Sequence, residues 1–333
     1  MKSLYQATHA VLRMMHEKNV SKQHHSYLFQ NMKKLLFFCL FISFTSASKL
    51  LITANLRNST SYVVDLEQKN VCNKFPDFPM ADVAGASGGL LMQKYPFVCN
   101  GNGAEAINQC YLYRNSQWTD SLILPPQVIF SRMVALNDTT VWITGGFGNS
   151  SLSLLVNPLE GRLIYGPKLK HGVIDHCVVN IDGNNVFMIS GDQHHRDLRK
   201  TSVYTFSSNT WQDGPDLLQT ALVPACALVT LSSGKRIIVL ADDLTTQYLE
   251  LGTSNGWRYG PTIPYYVPQP AMVPMEGTAL LFGFGTGTHM LNYNCQNGDP
   301  NNCAWDELDL QLPFEAVGPV AMFIPDEIAP ACN

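Results

Sequence analysis

The sequence predicts an all-β fold built from six similar units, and three observations carry this prediction. The 333 residues include 24 Gly and 19 Pro, which interrupt helices and favour tight turns. Short apolar segments that end in small residues recur at intervals of about 46 residues. An aromatic residue follows most of these segments at a similar distance. Regular repetition on this scale is typical of stacked or ring-shaped repeat proteins rather than of a helical bundle.

Composition excludes several classes of protein. Hydrophobic residues make up 46% of the chain and charged residues 14%, against roughly 25% charged in an average soluble domain, so the bulk of the chain is not disordered. The formal net charge is −4, with 22 Lys and Arg against 26 Asp and Glu. Such a balance disfavours nucleic acid and anionic membranes as partners.

The first element is a targeting segment. Basic Met32-Lys33-Lys34 precedes the apolar run 35–44, and the small residues 45–48 follow it. A basic start, a run too short to span about 30 Å of hydrocarbon and small residues for the peptidase are typical of a secretory signal peptide. We therefore predict a signal peptide at 32–48, cleaved after Ala47 or Ser48, with a signal anchor as the alternative. Residues 1–31 are predicted to be an unstructured leader upstream of the true initiator, Met32, and no other segment reaches transmembrane length.

The chain after the signal peptide has the composition of a secreted protein. Residues 49–333 hold sixteen Lys and Arg against twenty-five Asp and Glu, a net charge of −9. They also hold eight Cys, an even number that predicts up to four disulfides in an oxidising compartment, although spacing alone leaves about 105 connectivities open. Sequons predict glycosylation at Asn58, Asn137 and Asn149.

Six apolar segments mark the repeat through the whole of 49–333. They are 50–55, 96–101, 141–146, 186–191, 237–242 and 279–284. The aromatic residues that follow are Trp118, Tyr165, Trp211, Trp257 and Trp305. A further strand lies between the apolar segment and the aromatic residue, as in Gln109–Tyr113. Each unit then has four short strands, which fits the blade of a β-propeller.

One stretch identifies the kind of propeller that the repeats resemble. Residues 204–215, Tyr-Thr-Phe-Ser-Ser-Asn-Thr-Trp-Gln-Asp-Gly-Pro, resemble the end of a Kelch repeat, and Gly145-Gly146 lies where the Kelch double glycine belongs. The resemblance covers about residues 49–325, although an intact Gly-Gly occurs in the third unit alone. It implies blades whose innermost strand opens each unit.

The resemblance also implies how the ring closes. The chain begins at a double-glycine strand without an innermost strand before it, and 316–324 has the length to supply that strand from the C-terminus. We therefore predict a six-bladed Kelch-type propeller over 49–333, with four antiparallel strands per blade and the first blade closed by the C-terminal strand.

The positions of the cysteines in the predicted blades favour four disulfide pairs. Cys99 and Cys110 flank a loop between adjacent strands of blade 2, and Cys295 and Cys303 flank the corresponding region of blade 6. Cys177 and Cys226 occupy similar places in two consecutive blades. The remaining pair is Cys72 with Cys332, which would tie the first blade to the tail. Metal binding is disfavoured because no Cys-x2-Cys occurs.

Seven residues are candidates for ligand binding at the mouth of the ring. The charged loop after the fourth double-glycine strand contributes His194, His195, Arg196 and Arg199, whose guanidinium groups suit carboxylate or sulfate. Tyr265 and Tyr266, stiffened by neighbouring Pro, offer an aromatic surface for a peptide or a sugar. Arg132 resembles the Kelch arginine that faces the central cavity. His176 is expected to begin an inner strand and to face the channel.

These residues contain no catalytic set at recognisable spacing, so we expect neither a cofactor nor a metal. The leading hypothesis is a secreted, monomeric binding module for an extracellular protein or a glycan. An extracellular enzyme of the galactose-oxidase type, which would need His residues to converge in space, and a structural matrix or cuticle protein are the alternatives.

Overall fold

The computed structural model describes residues 48–332 except for 57–58, 82, 84, 100, 102–107, 126–128, 192–197, 268, 284–287, 297–298 and 300. The leader 1–31 and all of the predicted signal peptide except Ser48 lie outside the described residues. In the part that the structure describes, no helix has the length and apolar character needed to cross a membrane.

The regular elements of this part are β-strands. In chain order they are β1 (Lys49–Thr53), β2 (Tyr62–Asp65), β3 (Asn70–Cys72), β4 (Ser87–Leu91), β5 (Tyr95–Cys99), β6 (Gln109–Arg114), β7 (Gln117–Ile123), β8 (Arg132–Ala135), β9 (Val141–Thr144), β10 (Ser153–Asn157), β11 (Arg162–Tyr165), β12 (Cys177–Asn180), β13 (Asn185–Ile189), β14 (Thr201–Thr205), β15 (Thr210–Asp213), β16 (Cys226–Leu231), β17 (Gly234–Leu240), β18 (Thr245–Glu250), β19 (Arg258–Thr262), β20 (Ala271–Met275), β21 (Thr278–Phe282), β22 (His289–Cys295), β23 (Cys303–Gln311) and β24 (Val320–Ile324).

The strands form six antiparallel sheets of four strands, which are the blades of a propeller. Blade 1 has the order β24-β1-β2-β3, and blades 2 to 6 each use four consecutive strands beginning with β4, β8, β12, β16 and β20. The first strand of each blade contacts the first strand of the next, and β20 contacts β24, which contacts β4, so the inner strands close a ring. The predicted six-bladed architecture is confirmed.

The C-terminal strand closes blade 1, as predicted, but it is shorter than expected. β24 pairs with β1 from Lys49↔Ile324 to Thr53↔Val320. The expected strand began at residue 316. Gly318 has a left-handed φ of 55° and Pro319 has no N–H to give to a ladder, so 316–319 form a turn into the strand instead.

Because neighbouring strands run antiparallel, the connections alternate between two faces of the ring. The mouth face carries the turns between the second and third strands of each blade and the connections from one blade to the next. The opposite face carries the turns between first and second strands and between third and fourth strands. β24 ends on the opposite face, and the tail 325–332 continues from there to the outer strand of blade 1, where Cys332 bonds to Cys72.

The core lies between blades. The second strand of each blade is the most buried, as in β9, whose four residues are all buried, because it has a strand on either side and a sheet above and below. Fourth strands lie at the outer edge and are largely exposed, as in β11. The recurring apolar segments of the sequence are therefore the buried second strands.

Three of the four recurring tryptophans hold the incoming connection of their own blade. The indole N–H of Trp118 donates to Pro76 O at 3.2 Å, that of Trp211 to Lys168 O at 2.9 Å, and that of Trp257 to Pro215 O at 2.9 Å. The indole N–H of Trp305 is buried without a partner among the described residues. Tyr165, the corresponding aromatic residue of blade 3, is 78% exposed, since it lies at the outer edge of its blade.

Four disulfides join the cysteine pairs expected from the sequence, Cys72–Cys332, Cys99–Cys110, Cys177–Cys226 and Cys295–Cys303. Two of them link directly opposed residues of one sheet, but not in corresponding positions as expected. Cys99–Cys110 joins the second and third strands of blade 2, whereas Cys295–Cys303 joins the third and fourth strands of blade 6. The eleven-residue spacing of Cys99–Cys110 spans a turn of the mouth face, and the eight-residue spacing of Cys295–Cys303 spans a turn of the opposite face.

Candidate functional site

The inner strands enclose a central channel that opens on the mouth face. Its cavity has a volume of about 420 Å³ and receives residues from all six blades. The walls are mainly apolar, for example Met133, Val178, Ala227 and Ala321. A mainly apolar cavity with a few polar groups near its entrance is the usual form of a ligand site.

The entrance of the channel is built from residues in an unusual backbone conformation. In five of the six blades, the residue two positions before the inner strand has a left-handed φ: Gly85, Phe130, Asp175, Gln269 and Gly318, between 51° and 68°. In blade 5 this position is Pro224. All six residues line the channel, and we call them the mouth ring. Three of the five left-handed residues are not glycine, which is uncommon for this conformation.

Backbone hydrogen bonds connect part of the mouth ring. The N–H of Phe130 donates to Gly85 O, and the N–H of Asp175 donates to Phe130 O, both at 3.2 Å. The series ends at Pro224, which has no N–H to donate. The left-handed residues thus align their peptide groups around the entrance and join blades 2, 3 and 4.

An ion pair lies at the entrance. Arg132, the first residue of β8, places Nη2 3.2 Å from Oδ1 of Asp175 in the mouth ring, and each side chain is about one quarter exposed. Burial lowers the pKa of Arg132 while Asp175 opposes that shift, and a guanidinium remains charged in either case. Arg132 therefore faces the channel, where the resemblance places it, with a carboxylate beside it.

A buried hydroxyl lies beside the same cavity. Ser87 begins β4, lines the channel and is 7% exposed, and its Oγ is buried with no hydrogen-bond partner among the described residues. Its blade neighbours that of Arg132. Buried polar side chains normally have a partner, so a buried hydroxyl without one beside a cavity is a candidate contact for a ligand.

His176 does not line the channel, contrary to expectation. Its side chain is fully buried behind the mouth ring, with Nε2 2.7 Å from Thr144 Oγ1, and it precedes β12 rather than beginning it. Burial, and then the charge of Arg132, lower its pKa to about 3. The left-handed Asp175 directs its own side chain to the channel entrance and leaves His176 to pack against β9.

The two tyrosines of the predicted aromatic surface differ from each other. Tyr266 is 65% exposed on the mouth face. The hydroxyl of Tyr265 donates to Glu307 Oε2 at 2.7 Å, and its ring stacks on His289 with the ring centres 6.0 Å apart. The hydrogen bond to Glu307 raises the pKa of Tyr265 above its usual value. Tyr266 is therefore a surface group, whereas Tyr265 fastens its loop to blade 6.

The remaining candidates belong to the charged loop of blade 4. His194, His195 and Arg196 lie outside the described residues. Arg199 is exposed on the mouth face, and its carbonyl accepts a hydrogen bond from Leu217 N–H at 2.8 Å. Topology places the four described candidates on the mouth face, and Arg132 alone among them lines the channel.

Four connections of the mouth face are uncharged, and several connections of this face carry exposed apolar groups. The segments 124–131, 145–152, 263–270 and 283–288 contain no Asp, Glu, Lys or Arg. Phe147, Leu218, Leu222 and Tyr266 are exposed large hydrophobic residues in mouth-face connections. Exposed apolar groups gathered on one face are typical of an interaction surface.

No motif or spacing singles out Ser87, Asp175 or Gln269. What these residues share is their position relative to an inner strand. Asp175 and Gln269 lie two residues before such a strand and Ser87 is the first residue of one, so they can be recognised only after the strands have been assigned. Within the described ranges, no group of three or more His, Cys, Asp or Glu is arranged to hold a metal ion.

Comparison with known proteins agrees on the fold. No protein-family model matches the chain, and no curated protein matches it. Among solved structures, that of YjhT is similar, with a TM-score of 0.63 and 12% sequence identity over 77% of this chain and 96% of that chain. The chain is a six-bladed β-propeller. An identity of 12% extends the likeness to the fold and no further, and a propeller fold by itself does not determine function.

Proposed function

We propose that this propeller is a secreted, non-catalytic binding module that recognises an extracellular protein or a glycan at the channel entrance. The observation that carries the proposal is the buried Ser87 hydroxyl, which lies beside the cavity without a described partner. Arg132 and Asp175 add a donor and an acceptor nearby. The Kelch resemblance supports the same role, because in that family loops of this face surround the ligand.

Secretion is part of the proposal and rests on two supports. The segment 32–48 has the pattern of a signal peptide, and four disulfides fit an oxidising compartment. Asn137 and Asn149 are exposed, as glycosylation would require, and Asn58 lies outside the described residues. Secreted material should therefore lose mass when N-glycans are removed enzymatically, and peptide mapping should locate the change at these asparagines.

The test is a binding array of extracellular glycans and secreted proteins, probed with the wild type and with Ser87→Ala. This substitution removes one hydroxyl and disturbs no described hydrogen bond, so the protein should fold normally. We expect a true ligand to bind about tenfold more weakly to the variant, the usual value of one hydrogen bond in a dry site.

Arg132→Ala should weaken binding further, with the melting temperature measured in parallel because the change leaves Asp175 without this partner. Lys69→Ala is the matched control: its exposed ion pair with Asp309 lies on the opposite face. Ligands that bind all variants with equal affinity would contradict recognition at the channel entrance.

A further inference from the structure

The disulfide Cys295–Cys303 differs in its surroundings from Cys99–Cys110, the other disulfide between opposed residues of one blade. Cys99 and Cys110 are fully buried in an apolar cluster shared by blades 2 and 3. Cys295 and Cys303 are both partly exposed at the turn from β22 to β23, beside the exposed Gln296. Exchange with an external thiol requires that the attacking thiolate reach a sulfur atom. Of these two bonds, Cys295–Cys303 is therefore the one that a thiol can reach in the folded protein.

A buried arginine lies against one end of this bond. Arg236, on the second strand of blade 5, is 1% exposed and places Nη1 3.7 Å from Cys303 Sγ. Its guanidinium group is held over the ring of Tyr248, 3.9 Å from the ring centre. Among the described hydrogen-bond contacts, Arg236 has one with Cys303 and none with Cys295. The two sulfur atoms of the bond are therefore in different electrostatic environments.

The charge of Arg236 favours a thiolate on Cys303. Nη2 forms an ion pair with Glu250 Oε1 at 2.8 Å, whereas the described neighbours of Nη1 are neutral, the hydroxyl of Tyr293 at 3.1 Å and the sulfur of Cys303. Cys303 Sγ also lies 3.7 Å from the carbonyl oxygen of Asp299. That carbonyl carries a partial charge, whereas the guanidinium carries a full positive charge. A cation beside a cysteine stabilises its thiolate form.

We propose that Cys295–Cys303 is a site of thiol–disulfide exchange in the folded protein, with Cys295 attacked and Cys303 as the leaving group. An external thiolate forms a bond to Cys295 Sγ, the bond between the two cysteines breaks, and its electron pair leaves on Cys303 as a thiolate beside Arg236. A second thiolate of a dithiol reductant then releases Cys295 from the mixed disulfide. The dithiol is oxidised by two electrons and the cysteine pair is reduced. Arg236 selects this direction because a stabilised thiolate leaves faster.

The exchange is compatible with an intact fold. Cys295–Cys303 closes the shortest loop of the four disulfides, so its loss costs the least loop-closure entropy. The pairing of β22 with β23 continues beside it through Asn294↔Ala304 and Tyr293↔Trp305, which keeps the two thiols opposed and ready to be oxidised again. The site lies on the opposite face, so it does not depend on ligand recognition at the channel entrance.

Two matched variants test which cysteine is the better leaving group. Cys295→Ser and Cys303→Ser each leave one free thiol and keep Arg236. We expect iodoacetamide to alkylate Cys303 in the first variant with a pH midpoint at least about one unit below that of Cys295 in the second. Arg236→Met added to Cys295→Ser should remove the difference, and Arg236→Lys should retain it. Equal midpoints in the two Ser variants, or a lower one for Cys295, would overturn the assignment whether or not the Arg236 variants fold.

The wild type tests the direction of exchange itself. The folded chain is treated with glutathione, quenched with acid, alkylated and mapped by peptide mass spectrometry. We expect glutathione on Cys295 and the alkyl label on Cys303 in at least about threefold excess over the reverse arrangement. Cys99–Cys110 is the internal control and should stay oxidised, with the melting temperature showing that the chain is folded. The reverse arrangement, or labelling of Cys99 and Cys110 at the same rate, would contradict the proposal.

Discussion

At the scale of single residues, the mouth ring is the most distinctive feature of the molecule. Phe130, Asp175 and Gln269 adopt a left-handed backbone, which costs about 1–3 kcal/mol for a residue other than glycine. The fold retains this conformation because it turns the chain from the mouth face into the inner strand. It also directs Asp175 toward Arg132. Strain of this kind concentrates at functional sites, which agrees with the proposed role of the channel entrance.

Gly145 allows the connection behind the mouth ring to pack closely. A Cβ at this position would lie 2.3 Å from Val173 O, and φ is +61°. We expect Gly145→Ala to lower the free energy of unfolding by about 2–4 kcal/mol, the sum of backbone strain and overlap. Gly89→Ala is the control, because a Cβ there would have no atom within 4 Å, and its effect should stay within about 0.5 kcal/mol. Chemical denaturation measures both; equal effects would contradict the packing argument.

His176 makes the stability depend on pH. Its pKa in the folded protein is about 3, against 6.5 when unfolded, so below pH 6.5 the unfolded chain binds a proton that the folded chain does not. The stability present above pH 6.5 is therefore lost as the pH falls toward 3, at about 1.4 kcal/mol per pH unit from this residue. Denaturation of the wild type and of His176→Gln at pH 7, 6 and 5 measures the difference. Parallel pH profiles for the two proteins would show that His176 is not buried in its neutral form.

At the scale of elements, the second strands were predictable and the ends of elements were not. The recurring apolar segments correspond to β1, β5, β9, β13, β17 and β21, because a strand with a sheet on both sides must be continuously apolar. β24 was placed correctly but begins four residues later than expected, because Gly318 and Pro319 decide where the ladder starts. Tyr165 followed the aromatic pattern and yet is exposed, since sequence spacing does not reveal which outer edge remains uncovered.

The candidate site was predictable in part. Arg132 was assigned to the channel through the family resemblance, and the structure places it there. Ser87 and Asp175 are ordinary residues in the sequence, and it is the convergence of six inner strands that brings them together. The pairing of Tyr265 with Glu307 joins residues 42 positions apart, which no local pattern predicts.

The disulfides should differ in their effect on stability. Cys72–Cys332 closes a loop of 260 residues, whereas Cys295–Cys303 closes one of eight. The loop-closure entropy of the unfolded chain predicts that removing the first pair costs about 3 kcal/mol more than removing the second. Equilibrium unfolding of Cys72→Ala/Cys332→Ala and of Cys295→Ala/Cys303→Ala provides the comparison. A smaller loss for the Cys72–Cys332 pair would mean that the tail contributes nothing to ring closure.

At the scale of the whole molecule, the two faces of the ring have different tasks. The C-terminal tail begins on the opposite face, where Lys49–Asp326 at 3.1 Å and Lys94–Glu327 at 3.9 Å hold it, and it ends at the outer strand of blade 1 in the disulfide to Cys72. The mouth face carries the channel entrance and several exposed apolar residues. Closure of the ring on one face thus leaves the other face free for recognition.

Hydrogen exchange of the chain with and without a ligand from the binding array tests whether recognition occurs at the channel entrance. We expect slower exchange of backbone amides in 85–88, 129–132 and 173–177, the segments that form the entrance in blades 2, 3 and 4. Ser87→Ala at the same ligand concentration should show less protection. Protection confined to turns of the opposite face, such as 66–69, 136–140 and 181–184, would contradict the claim.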